Sequence, residues 1–520
     1  MKNTQDTNPK RQRGPGCLHT SSKRQRGPGR HSGTHAISFQ RIAFTWTVLL
    51  LAAAVLRADD WTMWGGTPQR NMVNTVEKNI PARWDVETGE NLKWVSQLGS
   101  QTYGNPIIAR GKVLVGTNNE AERQPKAKDD KGVIMCFAEN DGNFLWQMTH
   151  DKLGAGRVND WPQQGICSSP AVDGDRFYYV SNRCQLVCAD LEGFRDGEND
   201  GPYQDEKLNS PIDGDIVWVL DMIEELGVFP HNLATSSPVF DEKHVYVVTS
   251  NGVDEGHIVI PAPDAPSFIA VDKKTGEVVW DRGDPGEHIL HGQWSSPAMG
   301  VMGGARQILF PGGDGRIYAF DPETGKPLWS FQCNPEGMVW KLGGFGTRNN
   351  IIATPVIHQD RVYISVGQDP EHGEGPGHLW AIDATKRGDV TKTAAIWHND
   401  EVIRSLSTVA VHDGVLYHCD LRGIFRAIDP DTGKTLWNHD LLSAVWSSPY
   451  YVDGKVYMGD EDGDIVVFQA GREKKILYET NLGNSAYTTP VAANGVLYLT
   501  RRDRLYAIQQ GAKCDPKKVN

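Results

Sequence analysis

Short runs in which apolar and polar residues alternate recur through most of the chain, from about residue 92 to residue 510. Examples are the runs 317–321 (IYAFD), 454–458 (GKVYM) and 495–499 (GVLYL). A period of two places successive side chains on opposite faces of a strand, so each run predicts a β-strand. Turn sequences such as 321–325 (DPETG) separate the runs. We therefore predict an all-β protein.

The predicted strands are grouped into units that repeat along the chain. Each unit starts near a Ser-Pro or Thr-Pro step, passes through three strands, and ends with a fourth strand that carries an aromatic residue. The anchors of the units are Pro106, Pro170, Pro238, Pro297, Pro355, Val409, Pro449 and Pro490. The shortest spacing, 40 residues, is the bare unit, and longer spacings contain loop insertions. Eight units of four antiparallel strands predict an eight-bladed β-propeller.

The eighth unit ends after its third strand, and its missing fourth strand has a counterpart near the other end of the chain. Residues 92–96 contain Trp94 and match the aromatic strand of the other units. We predict that this strand completes the last blade and closes the ring. Closure removes the exposed strand edges that an open array of eight sheets would present.

One motif gives the repeat a family resemblance. The pattern Ala270-x-Asp272-x-x-Thr-Gly276-x-x-x-Trp280 recurs at 319–329 and 427–437. It resembles the tryptophan-docking motif of the pyrroloquinoline-quinone (PQQ) repeat superfamily, whose members form eight-bladed propellers. The resemblance covers roughly 92–510 and implies that each Trp lies flat against the small third-strand residue of a neighbouring blade. Cys136 and Cys188 occupy that small-residue position, so we interpret them as packing residues.

The first 58 residues differ from the rest of the chain, with ten Lys or Arg and a single acid, Asp6. Basic runs can bind nucleic acid, but an apolar run at 42–56 follows directly, which favours a basic leader plus a signal peptide cleaved after Ala58. No Cys follows the apolar run closely, so we expect no lipid anchor. The predicted domains are the leader and signal peptide (1–58), a lead-in segment (59–91), the propeller (92–510) and a C-terminal tail (511–520).

The part of the chain after Ala58 is acidic, with 43 basic and 64 acidic residues and a formal net charge of −21. Such a surface repels nucleic acid. We expect a periplasmic or secreted protein with no nucleic-acid partner and no membrane span once the signal peptide is removed. Seven Cys remain, without regular spacing, and Cys184 and Cys188 are roughly 13 Å apart along an extended strand, too far for a disulfide. We interpret both as buried thiols.

The resemblance leaves two functional hypotheses open. Quinoprotein alcohol and sugar dehydrogenases hold PQQ in the axial funnel, usually beside Ca²⁺, and the alcohol dehydrogenases often cover it with a disulfide between adjacent cysteines. The propeller subunit of the bacterial outer-membrane barrel-assembly machinery is non-catalytic and uses its ring as a docking surface. This chain has neither adjacent cysteines nor a Cys-x-x-Cys-His haem site. We therefore favour a binding or scaffold module for a protein or small-molecule partner, with a PQQ-dependent dehydrogenase as the alternative.

The residues just before each anchor are candidates for the lining of the funnel. One position before the anchor all eight residues are small and polar, which suits either a narrow hydrated channel or hydrogen bonds to backbone groups at strand starts. Six positions before the anchor, seven of eight are polar. The candidate ligand-binding residues at this level are Gln164, His231, Asn232, His291, Gln293, Trp294, Arg348, Asn349, Arg404 and Trp446. Aromatic rings, Arg and amides of this kind could hold a planar anionic quinone.

Metal-ligand patterns are sparse in the sequence. His288 and His291 are three residues apart in a predicted loop, the segment 196–201 lacks the bidentate Glu of an EF-hand, and His372, Glu374 and His378 lie in a Gly-rich insertion. Each suits a surface loop better than a metal site. We therefore predict no metal site, no assignable catalytic residue and no certain cofactor, with PQQ and Ca²⁺ as the alternative.

Overall fold

The structure is a computed structural model, which describes residues 60–341, 346–368, 371, 373 and 375–520. Residues Arg57–Asn520 form one compact unit. The predicted leader and signal peptide lie outside the described residues. No helix in the described ranges is long and apolar enough to cross a membrane.

Eight twisted antiparallel sheets follow one another around a ring. Two strands precede the first blade, β1 (Val73–Asn74) and β2 (Glu90–Gln97). Blade 1 contains β3 (Ile107–Ala109), β4 (Lys112–Asn118), β5 (Lys131–Ala138) and β6 (Phe144–Asp151). Blade 2 contains β7 (Ala171–Asp173), β8 (Arg176–Val180), β9 (Gln185–Asp190) and β10 (Asp215–Asp221). The helix α1 (Met222–Leu226) follows β10, and 3₁₀ turns occur at Gly156–Val158, Gly193–Arg195 and Gly286–His288.

The next three blades have the same order of strands. Blade 3 contains β11 (Val239–Phe240), β12 (His244–Val248), β13 (Phe268–Asp272) and β14 (Val278–Arg282). Blade 4 contains β15 (Ala298–Met302), β16 (Ala305–Pro311), β17 (Arg316–Phe320) and β18 (Pro327–Gln332). Blade 5 contains β19 (Val356–His358), β20 (Arg361–Val366), β21 (His378–Asp383) and β23 (Ala395–Asn399), while the short β22 (Gly388–Asp389) pairs with β18.

The last three blades complete the ring. Blade 6 contains β24 (Ala410–His412), β25 (Val415–Cys419), β26 (Ile424–Ile428) and β27 (Thr435–Asp440). Blade 7 contains β28 (Tyr450–Val452), β29 (Lys455–Gly459), β30 (Asp464–Gln469) and β31 (Ile476–Asn481), with β1 added beside β28. Blade 8 contains β32 (Val491–Ala493), β33 (Val496–Arg501), β34 (Arg504–Lys513) and β2. The predicted all-β, eight-bladed propeller of four-stranded antiparallel blades is confirmed.

The ring closes through the strand that contains Trp94. β2 pairs antiparallel with β34, and Trp94 lies opposite Ala507. The C-terminal residue returns to the same strand, because the backbone N–H of Asn520 donates to the carbonyl of Val95 at 2.9 Å. The predicted closure by the N-terminal strand is therefore confirmed.

The Trp residues dock between blades, but against a different residue from the one expected. The small third-strand residue lies opposite the Trp of its own blade, as Ala270 does to Trp280. The indole instead covers the Gly of the next blade's Thr-Gly turn: a Cβ built on Gly325 would lie 2.7 Å from Cδ2 of Trp280. The Nε1 of Trp280 donates to the carbonyl of Pro322 in the same turn, at 2.9 Å. The positive φ of the turn, +65° at Gly325, and the close indole both require glycine.

The cysteines are free thiols in the described structure. Cys136, Cys184 and Cys188 are buried, which confirms the interpretation of Cys184 and Cys188 as buried thiols. Burial raises the pKa of Cys188 to about 12, so its side chain is neutral and unreactive at physiological pH.

Residues 61–74 of the predicted lead-in segment run across one end of the ring and contact every blade. We call this segment the cap. Its backbone carbonyls accept from the strand N–H groups of Ile108, Val172, Met299, Ile357 and Tyr451, and the side chains of Arg70, Asn71 and Asn74 bond to blades 3, 4, 6 and 8.

Arg70 is the centre of the cap. It is completely buried, and its guanidinium donates to the carbonyls of Trp64, Ser237, Pro238 and Pro297 at 2.7–2.9 Å. Burial lowers its pKa to about 9, so it remains a cation at neutral pH. The four carbonyls come from the cap and from two blades, so Arg70 fixes the cap over the axis.

Candidate functional site

The narrow part of the axial channel is formed by the residues one position before each anchor. We call these eight the hydroxyl ring: Asn105, Ser169, Ser237, Ser296, Thr354, Thr408, Ser448 and Thr489. The backbone N–H of Ser169 donates to Oγ of Ser237 at 3.0 Å, and the N–H of Ser237 donates to Oγ of Ser296 at 2.9 Å. Seven such bonds link neighbours among the described residues.

The hydroxyl ring therefore satisfies backbone groups of the adjacent blade, which is one of the two interpretations that the sequence left open. At its end the channel meets the cap, where Nε1 of Trp64 donates to Oγ1 of Thr354 at 3.1 Å. This part of the channel encloses about 160 Å³.

A second ring lies two residues before the first. We call it the aromatic belt: Tyr103, Cys167, Thr235, Trp294, Ile352, Leu406, Trp446 and Tyr487. The rings of Tyr103 and Tyr487 stack at 4.7 Å, and Trp446 meets both edge-on. Glu461 accepts hydrogen bonds from Nε1 of Trp446 at 3.2 Å and from the hydroxyl of Tyr487 at 3.1 Å. The belt is therefore rigidly oriented at the open end of the channel.

The aromatic belt opens into a wider cavity of about 430 Å³, which we call the mouth chamber. Besides most of the belt, its walls contain Trp161, Gln164, Asn232, Leu233 and Glu371. Arg157 lies over the ring of Trp161 at 3.9 Å, and the indole Nε1 of Trp294 donates to the carbonyl of His231 at 2.9 Å. The chamber is thus a mainly apolar and aromatic space with a few polar groups at its rim.

Three histidines and one glutamate meet beside the mouth chamber. We call His231, His257, His291 and Glu371 the histidine cluster; one ligand atom from each lies within 4.8 Å of the others. Nε2 of His291 lies 3.3 Å from Nε2 of His257 and 3.4 Å from Oε2 of Glu371. The cluster borders a cavity of about 390 Å³ that shares Asn232 and Glu371 with the mouth chamber.

The four residues of the cluster lie on loops of three blades. His231 lies between α1 and β11, His257 between β12 and β13, His291 between β14 and β15, and Glu371 between β20 and β21. His231 and His291 are buried, and burial, followed by the nearby His291, lowers the pKa of His231 to about 4. His231 is therefore neutral at physiological pH.

The ten residues predicted from the sequence have different positions. Gln164, Asn232, Trp294 and Trp446 line the mouth chamber, and His231 and His291 belong to the histidine cluster. Gln293 and Asn349 are buried and bond to backbone groups, for example Gln293 Nε2 to the carbonyl of Asn251 at 2.8 Å. Arg404 donates to the carbonyl of Gly373 at 2.8 Å, and Arg348 lies 3.5 Å from that of Asp314. The ligand-binding role of the set stays a prediction.

Sequence reasoning missed His257, Glu371, Trp161 and six of the eight belt residues. The belt had a usable signal, since residues one and three positions before an anchor lie on the same side of an extended segment. His257 and Glu371 lie in loop insertions outside the repeat, where no register connects them to the other blades. Of the predicted Gly-rich insertion, His372 and Glu374 lie outside the described residues, and Nδ1 of His378 lies 3.0 Å from Nε2 of His398.

Comparison with known proteins agrees with this architecture. A family model described as outer membrane protein assembly factor BamB matches residues 208–420 and 377–513, more than half of the chain. The BamB of Yersinia pestis is 24% identical over 379 residues, covering 72% of this chain and 79% of that protein. The BamB of Moranella endobia is 22% identical over 54% of this chain, and the match covers 63% of that relative, less than two thirds of its length.

Dehydrogenases are also among the similar proteins. A polyvinylalcohol dehydrogenase of Sphingopyxis is 26% identical over 39% of this chain and 34% of that protein. The europium-containing methanol dehydrogenase has a TM-score of 0.57 at 13% identity, covering 87% of this chain and 98% of the other. BamB from Moraxella catarrhalis has a TM-score of 0.50 at 17% identity, covering 81% and 99%. At these identities the solved structures show the fold alone, whereas the family model shows that the chain belongs to the PQQ-type propeller family described by BamB.

Proposed function

We propose that this protein is an exported scaffold, periplasmic or secreted, that binds a protein partner at the open end of its propeller. The observation that carries the proposal is the difference between the two ends of the channel. The cap bonds to all eight blades at one end, whereas the other end opens through the aromatic belt into the mouth chamber. Membership of the BamB family supports a docking role for the ring.

The chemistry of the mouth chamber suits an apolar side chain of a partner. Aromatic residues in a recessed site are the groups that most often dominate protein–protein binding energy. Trp294, Trp446 and Tyr103 provide such surfaces, and their orientations are fixed before a partner arrives. Ile258 and Val259, beside His257, are 76% and 54% exposed and extend the apolar surface at the rim. We infer that an extended segment of the partner inserts an aliphatic or aromatic residue into the chamber.

The alternative, a PQQ-dependent dehydrogenase, requires donor groups in the chamber that can hold the quinone. PQQ carries three carboxylates, so a site that holds it needs cationic partners. Among the described residues, those lining the mouth chamber include the carboxylate of Glu371 and no Lys or Arg. A trianion would meet mainly apolar rings, and Arg157, the cation that lies over Trp161 at the rim, already pairs with Glu371 at 3.2 Å. The residues of this chamber do not fit the quinone, and we derive no step through it.

A site-specific crosslinking experiment tests the scaffold proposal. A photoreactive amino acid replaces Ile258 at the open end, or Val301 near the cap as a matched exposed control. In the expressing cell we expect one dominant protein adduct from position 258 and none from position 301. The adduct protein, purified, should bind the wild-type propeller in calorimetry and bind at least tenfold more weakly to Trp446→Ala, while Trp446→Phe largely retains binding.

Three results would contradict the proposal. Equal adducts from positions 258 and 301, or unchanged affinity of the purified partner for a folded Trp446→Ala variant, would remove the mouth chamber as the docking site. Saturable one-to-one binding of PQQ with Ca²⁺ in calorimetry, together with dye-linked oxidation of an alcohol or sugar, would establish the dehydrogenase instead.

A further inference from the structure

The histidine cluster has no role in the proposed docking of a protein, yet its atoms are arranged around a common point. We propose that His231, His257, His291 and Glu371 bind a divalent transition-metal ion, with Zn²⁺ as the best match. The inference is independent of the proposed function, because it rests on the cluster and not on the aromatic belt.

The separations between the ligand atoms agree with tetrahedral coordination. Four N and O ligands placed about 2.0–2.1 Å from a central zinc ion lie about 3.4 Å from one another. In the structure three of the six separations are 3.3 Å from His291 to His257, 3.4 Å from His291 to Glu371, and 3.8 Å from His257 to Glu371. An ion therefore fits between the ligand atoms of His257, His291 and Glu371 with shifts of a few tenths of an ångström, and the ligand atom of His231 lies within 4.8 Å of each of them.

His231 supplies an independent indication of a ligand. Its Nδ1 donates to the carbonyl of Val253 at 2.8 Å, which fixes the tautomer and leaves a lone pair on Nε2. Nε2 of His231 is buried and has no hydrogen-bond partner in the described structure. In metal-bound imidazoles the ring nitrogen that does not bind the metal usually donates to a backbone carbonyl or a carboxylate, as Nδ1 does here. Nε2 is therefore oriented to coordinate a metal ion.

The surroundings of the cluster hold the other ligands in place. Nη2 of Arg157 donates to Oε1 of Glu371 at 3.2 Å, and Oε2 of the same carboxylate is the oxygen nearest the histidines. A Cβ on Gly252 would lie 2.6 Å from Cβ of His231 and 2.9 Å from the carbonyl of His291, so only glycine allows these segments to approach. The adjoining cavity of about 390 Å³ provides a path for the ion.

The ligand set selects the class of metal. Three imidazoles and one carboxylate suit Zn²⁺, and also Cu²⁺, Ni²⁺ or Fe²⁺, whereas Ca²⁺ and Mg²⁺ require mainly oxygen ligands. Four protein ligands, three of them at separations typical of a tetrahedron, favour zinc over the metals that prefer square or octahedral sites. The bound ion would connect loops of blades 3, 4 and 5 and fix Glu371, which also lines the mouth chamber.

The test uses residues 57–520, purified with a tag that contains no histidine and stripped with a chelator. Zn²⁺ is titrated in competition with a chromophoric chelator, and Co²⁺ replaces it as a spectroscopic probe. We expect one Zn²⁺ per chain and the intense visible absorption of tetrahedral Co²⁺. Because each ligand contributes directly, His257→Gln and Glu371→Gln should each weaken Zn²⁺ binding at least about 100-fold and abolish the Co²⁺ bands.

His288→Gln is the matched control, since His288 is exposed and only three residues from His291. It should bind Zn²⁺ as the wild type does. His257 is only partly buried, so its substitution leaves the fold intact, which near-ultraviolet circular dichroism verifies. Failure of the stripped wild type to take up one equivalent of Zn²⁺, or equal affinities of wild type, His257→Gln and Glu371→Gln, overturns the proposal.

Discussion

The side chain of Asn105 accepts a hydrogen bond from the backbone N–H of Thr489 at 2.7 Å, across the seam where the first blade meets the last. These residues are 384 positions apart, but they occupy equivalent places in the hydroxyl ring. Hydrogen bonds of the inner ring therefore continue across the seam, in addition to the strand pairing between β2 and β34 at the outer edge. The propeller is therefore closed both at the inner hydroxyl ring and at its outer edge.

We expect Asn105→Ala to lower the free energy of unfolding by about 1–2 kcal/mol, because the N–H of Thr489 loses its acceptor inside the channel. The measurement is urea unfolding followed by tryptophan fluorescence. Asn481→Ala, which removes an exposed side chain bonded to Asp464, is the control and should change the free energy by less than about 0.5 kcal/mol. Equal losses for the two variants would show that the seam bond does not stabilise the ring.

Because the indole of Trp280 packs on Gly325, we expect Gly325→Ala to destabilise the protein strongly. Its positive φ costs about 1–2 kcal/mol for any side chain, and the new Cβ would also displace the ring of Trp280. Gly454→Ala is the control, because Gly454 has φ +71° but no atom within 4 Å of the added Cβ. Thermal unfolding should show a lower melting temperature for Gly325→Ala than for Gly454→Ala, and indistinguishable values would refute the docking interpretation.

Neutralising either of two buried aspartates in equivalent turns should change the free energy of unfolding, in opposite directions for the two residues. Asp420 pairs with Arg426 at 2.6 Å, whereas Oδ2 of Asp460 has no hydrogen-bond partner among the described residues. Burial raises the pKa of Asp460 to about 6, above its unfolded value of about 3.8, so the folded state binds this proton more tightly. The resulting stability is fully present below about pH 4 and is lost as the pH rises through 6.

We therefore expect Asp460→Asn to stabilise the protein at pH 7.5 by about 1–3 kcal/mol and to have little effect at pH 4. Asp420→Asn should instead destabilise it at pH 7.5 by about 3 kcal/mol, because Arg426 loses its partner. Urea unfolding of both variants at the two pH values provides the measurement. A loss of stability in Asp460→Asn at pH 7.5 would contradict the assignment of an uncompensated buried charge.

The sequence predicts the ring well because the blade is a local, periodic unit. Trp94 was recognisable as a missing fourth strand since the other blades defined what that strand contains. The docking partner of Trp280 was assigned wrongly because strand alternation specifies neighbours within a sheet and not the loop of the next one. The sequence does not predict the cap, because most of the cap's bonds use backbone carbonyls, which leave no pattern in the side chains of 61–74.

The histidine cluster lay beyond sequence reasoning for another reason. His231 and His291 hold similar positions relative to their anchors, so the repeat identified them as candidates. His257 and Glu371 enter from insertions of different length, and only the folded ring brings them within reach of each other. Sites assembled from insertions on a repeated scaffold have no sequence spacing that could reveal them.

The position of the cap constrains the order of events during folding. Residues 61–74 are synthesised before any blade, yet their partners extend from Ile108 to Ala492. The segment can therefore complete its bonds only after the last blade has emerged, and this late docking joins a row of neighbouring sheets into one cooperative body. Contacts of such large sequence separation slow folding, so the blades should form early and the complete ring should form only at the end.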